Sequence, residues 1–235
     1  MKNFVALGDI HGRTSWKDLV NENLNSIFIF TGDYLDPYEA EGITYLDAIE
    51  NFKDIIKFKL DNPNTILLIG NHDAQYLYYP KFELNNAFSY KYRKTICKLF
   101  TENEKLFQFA YQVNDYLFTH AGISKDWLNY HRKTFDQFGL NPDYSNIADV
   151  INDIAKSDQM INVLDNISYI RNGYDLYGSL IWADARELID NYIIGLKQVV
   201  GHSKVRDIAK SGDFDSFITF IDVLSEQTKA LIIKI

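Results

Sequence analysis

Five short polar tags gather the residues of this chain best placed to do metal or acid–base chemistry. They are GDIHG (8–12), GDYLD (32–36), GNHD (70–73), THAG (119–122) and GHS (201–203). The side chains on offer are Asp9 and His11, Asp33 and Asp36, Asn71, His72 and Asp73, His120, and His202. Four of the five histidines fall inside the tags, and only His131 lies elsewhere. Turn capping explains one histidine in such a place but not four. A His, Asp and Asn set without thiolate suits Mn, Fe or Zn at a dinuclear centre, and suits structural zinc, which prefers Cys and His, much less well. Two ions about 3.5–4 Å apart can share a carboxylate, activate water and clamp the oxygens of a phosphoryl group during in-line displacement. The expected chemistry is phosphoester hydrolysis without a covalent intermediate.

Such side chains need elements to aim them. Each tag follows a short apolar run: Phe4 to Leu7, Ile27 to Phe30, Ile66 to Ile69, Tyr116 to Phe118, and Gln198 to Val200. Between the second and third runs, Leu46, Ile49, Phe52, Ile56 and Leu60 recur at three- and four-residue steps, which predicts a helix stopped by Asn62-Pro63. Strand, helix, strand predicts a parallel pair, and an open α/β sheet collects ligands outside the carboxyl ends of its strands. Runs at 217–221 and 230–235 read as further strands without chemistry at their ends. Residues 74–112, rich in aromatics, and 124–178 are expected to be helical insertions in one catalytic domain spanning 1–235. The aromatic stretch is read as core packing or a lid rather than as substrate contact.

The bulk properties exclude some alternatives. A net charge of −8 over 235 residues argues against tracking a nucleic-acid backbone, which needs clustered Lys and Arg. Cys97 is the single cysteine, so no intrachain disulfide forms and a reducing compartment fits. The first residues turn polar by Asp9 and read as neither signal peptide nor membrane anchor, so a cytoplasmic protein is expected.

The ordered set of tags, from residue 8 to 203, resembles the calcineurin-like metallophosphoesterases. The resemblance implies a four-layer αββα sandwich of two mixed β-sheets flanked by helices. It implies two divalent metal ions, Mn²⁺ by expectation, with Fe or Zn also fitting. Asp9, His11 and Asp33 would hold one ion, and Asp33, Asn71, His120 and His202 the other. His72 would give a proton to the leaving-group oxygen, held by Asp36, while Asp73 would play a structural part. Residues 201–204 read GHSK rather than the GHxH of nuclease-like relatives. With HAG at 120–122 and SLIWAD at 179–184, this resembles the phosphoprotein-phosphatase branch, including bacterial and phage serine/threonine phosphatases and diadenosine tetraphosphatases.

The chain departs from that branch at Pro37, where GDxxDRG would place a phosphate-binding arginine. Arg13, Arg171 and Arg186 are the candidates to replace it, with Arg171 favoured because Asn172-Gly173 reads as a tight turn leading toward the WAD segment. The expected substrate is a phosphorylated protein or a small phosphoester. A serine/threonine protein phosphatase leads, with a dinucleotide polyphosphate hydrolase and a catalytically silent metal-binding module as alternatives.

Overall fold

The apolar runs ahead of the tags are strands. The computed structural model describes residues 2–235. In chain order, the elements begin with β1 (Asn3–Leu7), α1 (Trp16–Glu22), β2 (Ile27–Phe30) and α2 (Tyr45–Asp61). Then come β3 (Ile66–Leu68), α3 (Asn71–Leu77), α4 (Arg93–Glu102), β4 (Phe107–Gln108), β5 (Ala110–Val113) and β6 (Tyr116–Thr119). A helical stretch follows, with α5 (Lys125–Tyr130), α6 (Arg132–Gln137), α7 (Ile147–Ile154) and α8 (Met160–Leu164). The chain ends with α9 (Ala185–Leu188), β7 (Lys197–Val200), β8 (Ala209–Gly212), β9 (Phe217–Phe220) and β10 (Leu231–Lys234). Two compact units result, Met1–Gln108 with Val223–Ile235, and Phe109–Asp222.

The first unit holds a five-stranded sheet in the order β10-β1-β2-β3-β4. β1 to β4 are parallel, with Leu7 opposite Phe30 and Phe30 opposite Leu67, and β10 runs antiparallel to β1. Parallel strands release their carboxyl ends at one edge, so the first three tags emerge side by side. The first two are joined by backbone bonds, with Ile10 and His11 N–H both donating to the Asp33 carbonyl and Gly12 N–H to that of Tyr34.

α2 begins at a capping box between Thr44 and Asp47. Its buried face is Ala48, Ile49, Phe52, Ile55 and Ile56, a correction to the face expected from sequence. Leu46 and Leu60 are both 59% exposed, because at 100° per residue they stand roughly 120° and 80° around the helix from Phe52. Phe52 stacks on Tyr34 and packs against Phe100 and Phe107, so α2, α4 and the sheet share one aromatic core.

The second unit carries a sheet in the order β5-β6-β7-β9-β8, in which β6, β7 and β9 are parallel while β5 and β8 are antiparallel edges. α7 covers β5, and its Asn152 satisfies the Phe109 and Ala110 N–H groups and the Ala110 carbonyl. The α-helices of 124–178 end at Leu164, and otherwise irregular chain with a 3₁₀ turn at Tyr169–Arg171 follows. The fold is thus mixed α/β with two β-sheets flanked by helices. Among the described residues, no helix is long and apolar enough to cross a membrane.

Candidate active site

In the first unit, His11, Asp33 and His72 each present a ligand atom within 4.8 Å of the others. Nδ1 of His11 lies 2.8 Å from the Leu35 carbonyl oxygen and 3.1 Å from that of Asp36. Carbonyls only accept, so Nδ1 carries the hydrogen and Nε2 presents a lone pair. That Nε2 faces Asp33 Oδ2 at 3.6 Å, with the Tyr38 hydroxyl 3.4 Å away. Burial holds the His11 imidazole well below its ordinary range, and the neighbouring His72 and Arg13 push it the same way. Burial also drives the Asp33 carboxyl well above its ordinary range, with the Asp9 and Asp73 carboxylates adding to the shift. Asp9 and Asn71 are buried at the same edge. A neutral imidazole nitrogen, crowded carboxylates and an amide, with no thiolate, form a donor set that fits a divalent cation, whose charge favours the ionised carboxylates.

The backbone is shaped around Asp33. Its Oδ1 accepts from the His72 N–H at 3.0 Å. A Cβ at Gly70 would fall 2.1 Å from that same oxygen, and one at Gly32 would fall 2.5 Å from Gly70 N. Asp73 accepts from the N–H groups of Asp33 (2.6 Å), Tyr34 (3.0 Å) and Gly70 (2.9 Å). Burial pushes the Asp73 carboxyl up to about 7 against the opposing pull of these bonds. His11, Asp33 and Asp36 all have positive φ, at 43°, 53° and 55°, as does His202 in the second unit at 63°. Each costs about 1–2 kcal/mol for a residue with a side chain. Strain at four tag residues marks conformations that the surrounding bonds impose.

Asp36 is buried, with four side chains on its two oxygens. Its Oδ2 lies 2.8 Å from His72 Nδ1 and 2.8 Å from Gln75 Nε2. Its Oδ1 accepts from the Tyr76 hydroxyl at 2.6 Å and lies 3.1 Å from that of Tyr45. The carboxylate therefore fixes the hydrogen on Nδ1 of His72 and leaves Nε2 to exchange a proton. Sequence reasoning missed Gln75 and Tyr76, which it placed in an aromatic core or lid. Their spacing carried the signal, because three and four residues after His72 on α3 they share its helical face.

In the second unit, His120 and His202 follow the adjacent strands β6 and β7, with His120 Nε2 3.1 Å from His202 Nδ1. The ring of Trp182 meets that of His202 edge-on. Arg171 lies beside this tag, donating to the Ser203 hydroxyl at 3.0 Å and pairing with Asp184 at 2.9 Å. It ends a short turn closed by Asn172 in the left-handed region, φ 65°. Arg186 pairs with the same Asp184 from a more exposed position. Arg13, in the first unit, is buried and bonded through Nε and one terminal nitrogen to the two oxygens of Glu41, with its other terminal nitrogen on the Asp9 carbonyl. His131 stands apart from the tags, bonded to Asn166 at 2.8 Å.

Residues 2–205 match the sequence pattern of the family described as calcineurin-like phosphoesterase. No curated protein matches the chain. Among solved structures, a cold-active protein-tyrosine phosphatase of a psychrophilic Shewanella species is 17% identical with a TM-score of 0.51, over 99% of this chain and 75% of that one. A serine/threonine phosphatase of Saccharomyces cerevisiae is 22% identical with a TM-score of 0.35, over 54% of this chain and 40% of that one. A metallophosphoesterase of Sphaerobacter thermophilus is 11% identical with a TM-score of 0.30, over 53% of this chain and 48% of that one.

Proposed function

Because the chain belongs to the calcineurin-like phosphoesterase family of metal-dependent hydrolases, we propose that it is a phosphomonoesterase acting on phosphoserine or phosphothreonine in proteins. The observation that carries this reading is the Asp36–His72 pair, one nitrogen held and the other left for a leaving group. The catalytic activity is assigned to residues 1–235 as one catalytic domain. We assign Asp9, His11, Asp33, Asn71, His120 and His202 to two divalent ions, with Mn²⁺ as the expected metal, as the resemblance of the tags implies. Bound there, such ions supply an activated water and charge for the phosphoryl oxygens.

The chain's own residues do the rest. Nε2 of His72 gives its proton to the departing ester oxygen, so that a poor leaving group need not depart as an alkoxide. Asp36 keeps that proton available by holding Nδ1 and stabilising the imidazolium before transfer. The guanidinium of Arg171 supplies the fork-shaped donor for phosphate that Pro37 does not. Arg13 is a weaker candidate because it is buried with all three of its guanidinium nitrogens engaged, two by Glu41 and one by the Asp9 carbonyl, and Arg186 is mostly exposed.

With Mn²⁺ present, the protein should hydrolyse p-nitrophenyl phosphate, and a strong chelator should abolish the reaction. Specificity constants for phosphoserine and phosphothreonine peptides should exceed those for phosphotyrosine peptides and for diadenosine tetraphosphate. Hydrolysis that survives the chelator overturns the mechanism, and preference for either of the last two substrates overturns the assigned class.

A further inference from the structure

Asp36 sits under more structure than its pairing with His72 requires. Gln75 and Tyr76 are both buried, and each side chain is in use as both donor and acceptor. Gln75 donates from Nε2 to Asp36 and accepts at Oε1 from the Asn85 N–H at 3.0 Å. Tyr76 donates its hydroxyl hydrogen to Asp36 and accepts at the same oxygen from the Ser89 N–H at 2.7 Å. Each of these side chains therefore spans from the carboxylate to the backbone of residues 85–89. The ring of Tyr76 is held by stacking on Phe88, 4.7 Å between centroids, and Phe88 stacks on Tyr79.

We propose that Gln75 and Tyr76 are positioning residues that orient the Asp36 carboxylate, and through it His72, using the backbone of residues 85–89 as their anchor. The proposal rests on the phosphatase reading for its kinetic consequence. A carboxylate with one bond to an imidazole can rotate about its own torsion and lose that bond. Two further donors, one on each oxygen, fix its plane. With the plane fixed, Nδ1 keeps its hydrogen and Nε2 keeps one direction. Burial and the Asp36 charge push the Tyr76 phenol well above its ordinary range, so it remains a donor. Both residues are buried and bonded to Asp36, so each acts through that carboxylate.

Aryl phosphates of graded leaving-group quality test this with Tyr76→Phe. Positioning of a proton donor matters for phenyl phosphate, whose leaving group needs the proton, and little for 2,4-dinitrophenyl phosphate, whose leaving group does not. In the Mn²⁺-loaded protein, kcat for phenyl phosphate should fall about 10- to 100-fold with KM within about twofold, while kcat for the dinitrophenyl ester falls less than about threefold. Equal losses on both esters, or no loss, overturn the proposal. Gln75→Leu carries the same measurement if Tyr76→Phe does not fold. Nitrogen NMR of the zinc-loaded protein gives a readout independent of turnover. His72, identified by its loss in His72→Asn, should hold its hydrogen on Nδ1 in the unmodified chain and sample both tautomers in Tyr76→Phe. An unchanged tautomer overturns the positioning role. If the unmodified protein hydrolyses neither ester, the phosphatase reading falls and the tautomer decides the positioning role alone.

Discussion

The Asp36 carboxylate stands 2.8 Å from Nδ1 of His72, with the imidazole at the edge of the site and the carboxylate buried beneath it. This geometry separates the two substitutions. His72→Asn removes the donor itself and should lower kcat on p-nitrophenyl phosphate by about 10²–10⁴-fold, the usual worth of a positioned acid. Metal content, measured by elemental analysis, should be retained. Asp36→Asn leaves a side chain that can still hydrogen-bond but can present its amide to Nδ1, which favours the wrong tautomer. It should cost less than His72→Asn and add little to it in the double variant, because the two act as a unit. Full additivity would separate them.

Gly70 and Asp33 make the second prediction. Since a methyl at Gly70 would lie 2.1 Å from Asp33 Oδ1, Gly70→Ala must move that carboxylate. Gly70 is in the extended region with φ −94°, so the substitution brings contact strain and no left-handed penalty. Metal affinity by calorimetry should fall at least about tenfold, the scale of displaced ligand geometry, while the far-ultraviolet spectrum is unchanged. Unaltered affinity would mean that Asp33 accommodates the methyl.

The fold was legible where one rule dominates. Apolar runs ending in Gly-Asp or Gly-Asn are strand exits in the structure, and the run at 66–69 pairs parallel with that at 27–30. The two late runs are also strands, but β9 belongs to one sheet and β10 to the other, a partition that apolar character does not encode. On α2, counting three- and four-residue steps included Leu46 and Leu60 because the spacing tolerates drift, whereas burial follows the helical angle. Asp33, Asp36 and His72 were visible as residues. The acceptor load on Asp36 was not, since it depends on tyrosine hydroxyls whose rings serve the aromatic core. Nor was the left-handed backbone at His11, Asp33, Asp36 and His202, which tertiary bonds impose on residues that would not choose it.

The arginines separate by their partners. Arg171 is held by Ser203 and Asp184 next to the His202 tag, so Arg171→Ala should raise KM for phosphomonoesters about 10- to 100-fold, as expected for a lost charged hydrogen bond. Arg171→Lys should recover only part of that, because an ammonium cannot bind bidentately. Arg186→Ala should change kcat/KM less than about threefold, as suits a mostly exposed side chain. Arg13→Ala removes a buried partner of Glu41 and the Asp9 carbonyl, and should lower thermal stability and metal affinity together. A KM effect confined to Arg13→Ala would transfer the phosphate-binding role to that residue.

His131 makes a pH prediction away from the tags. Its imidazole is buried, bonded to Asn166, and packed between the rings of Trp127 and Tyr130. Burial lowers its pKa, against opposing contributions from Asn166 and the Asp175 carboxylate. With the folded value below the ordinary value of about 6.5, the unfolded chain binds the proton first as pH falls, so folding stability from this residue is complete above about 6.5 and is lost as pH drops through the folded value. Urea denaturation of the unmodified protein and of His131→Phe at pH 7.5 and pH 5 isolates the contribution. The unmodified protein should lose more stability across that interval than the variant, the difference being the linkage of one proton. Equal losses would place the folded pKa of His131 at its unfolded value.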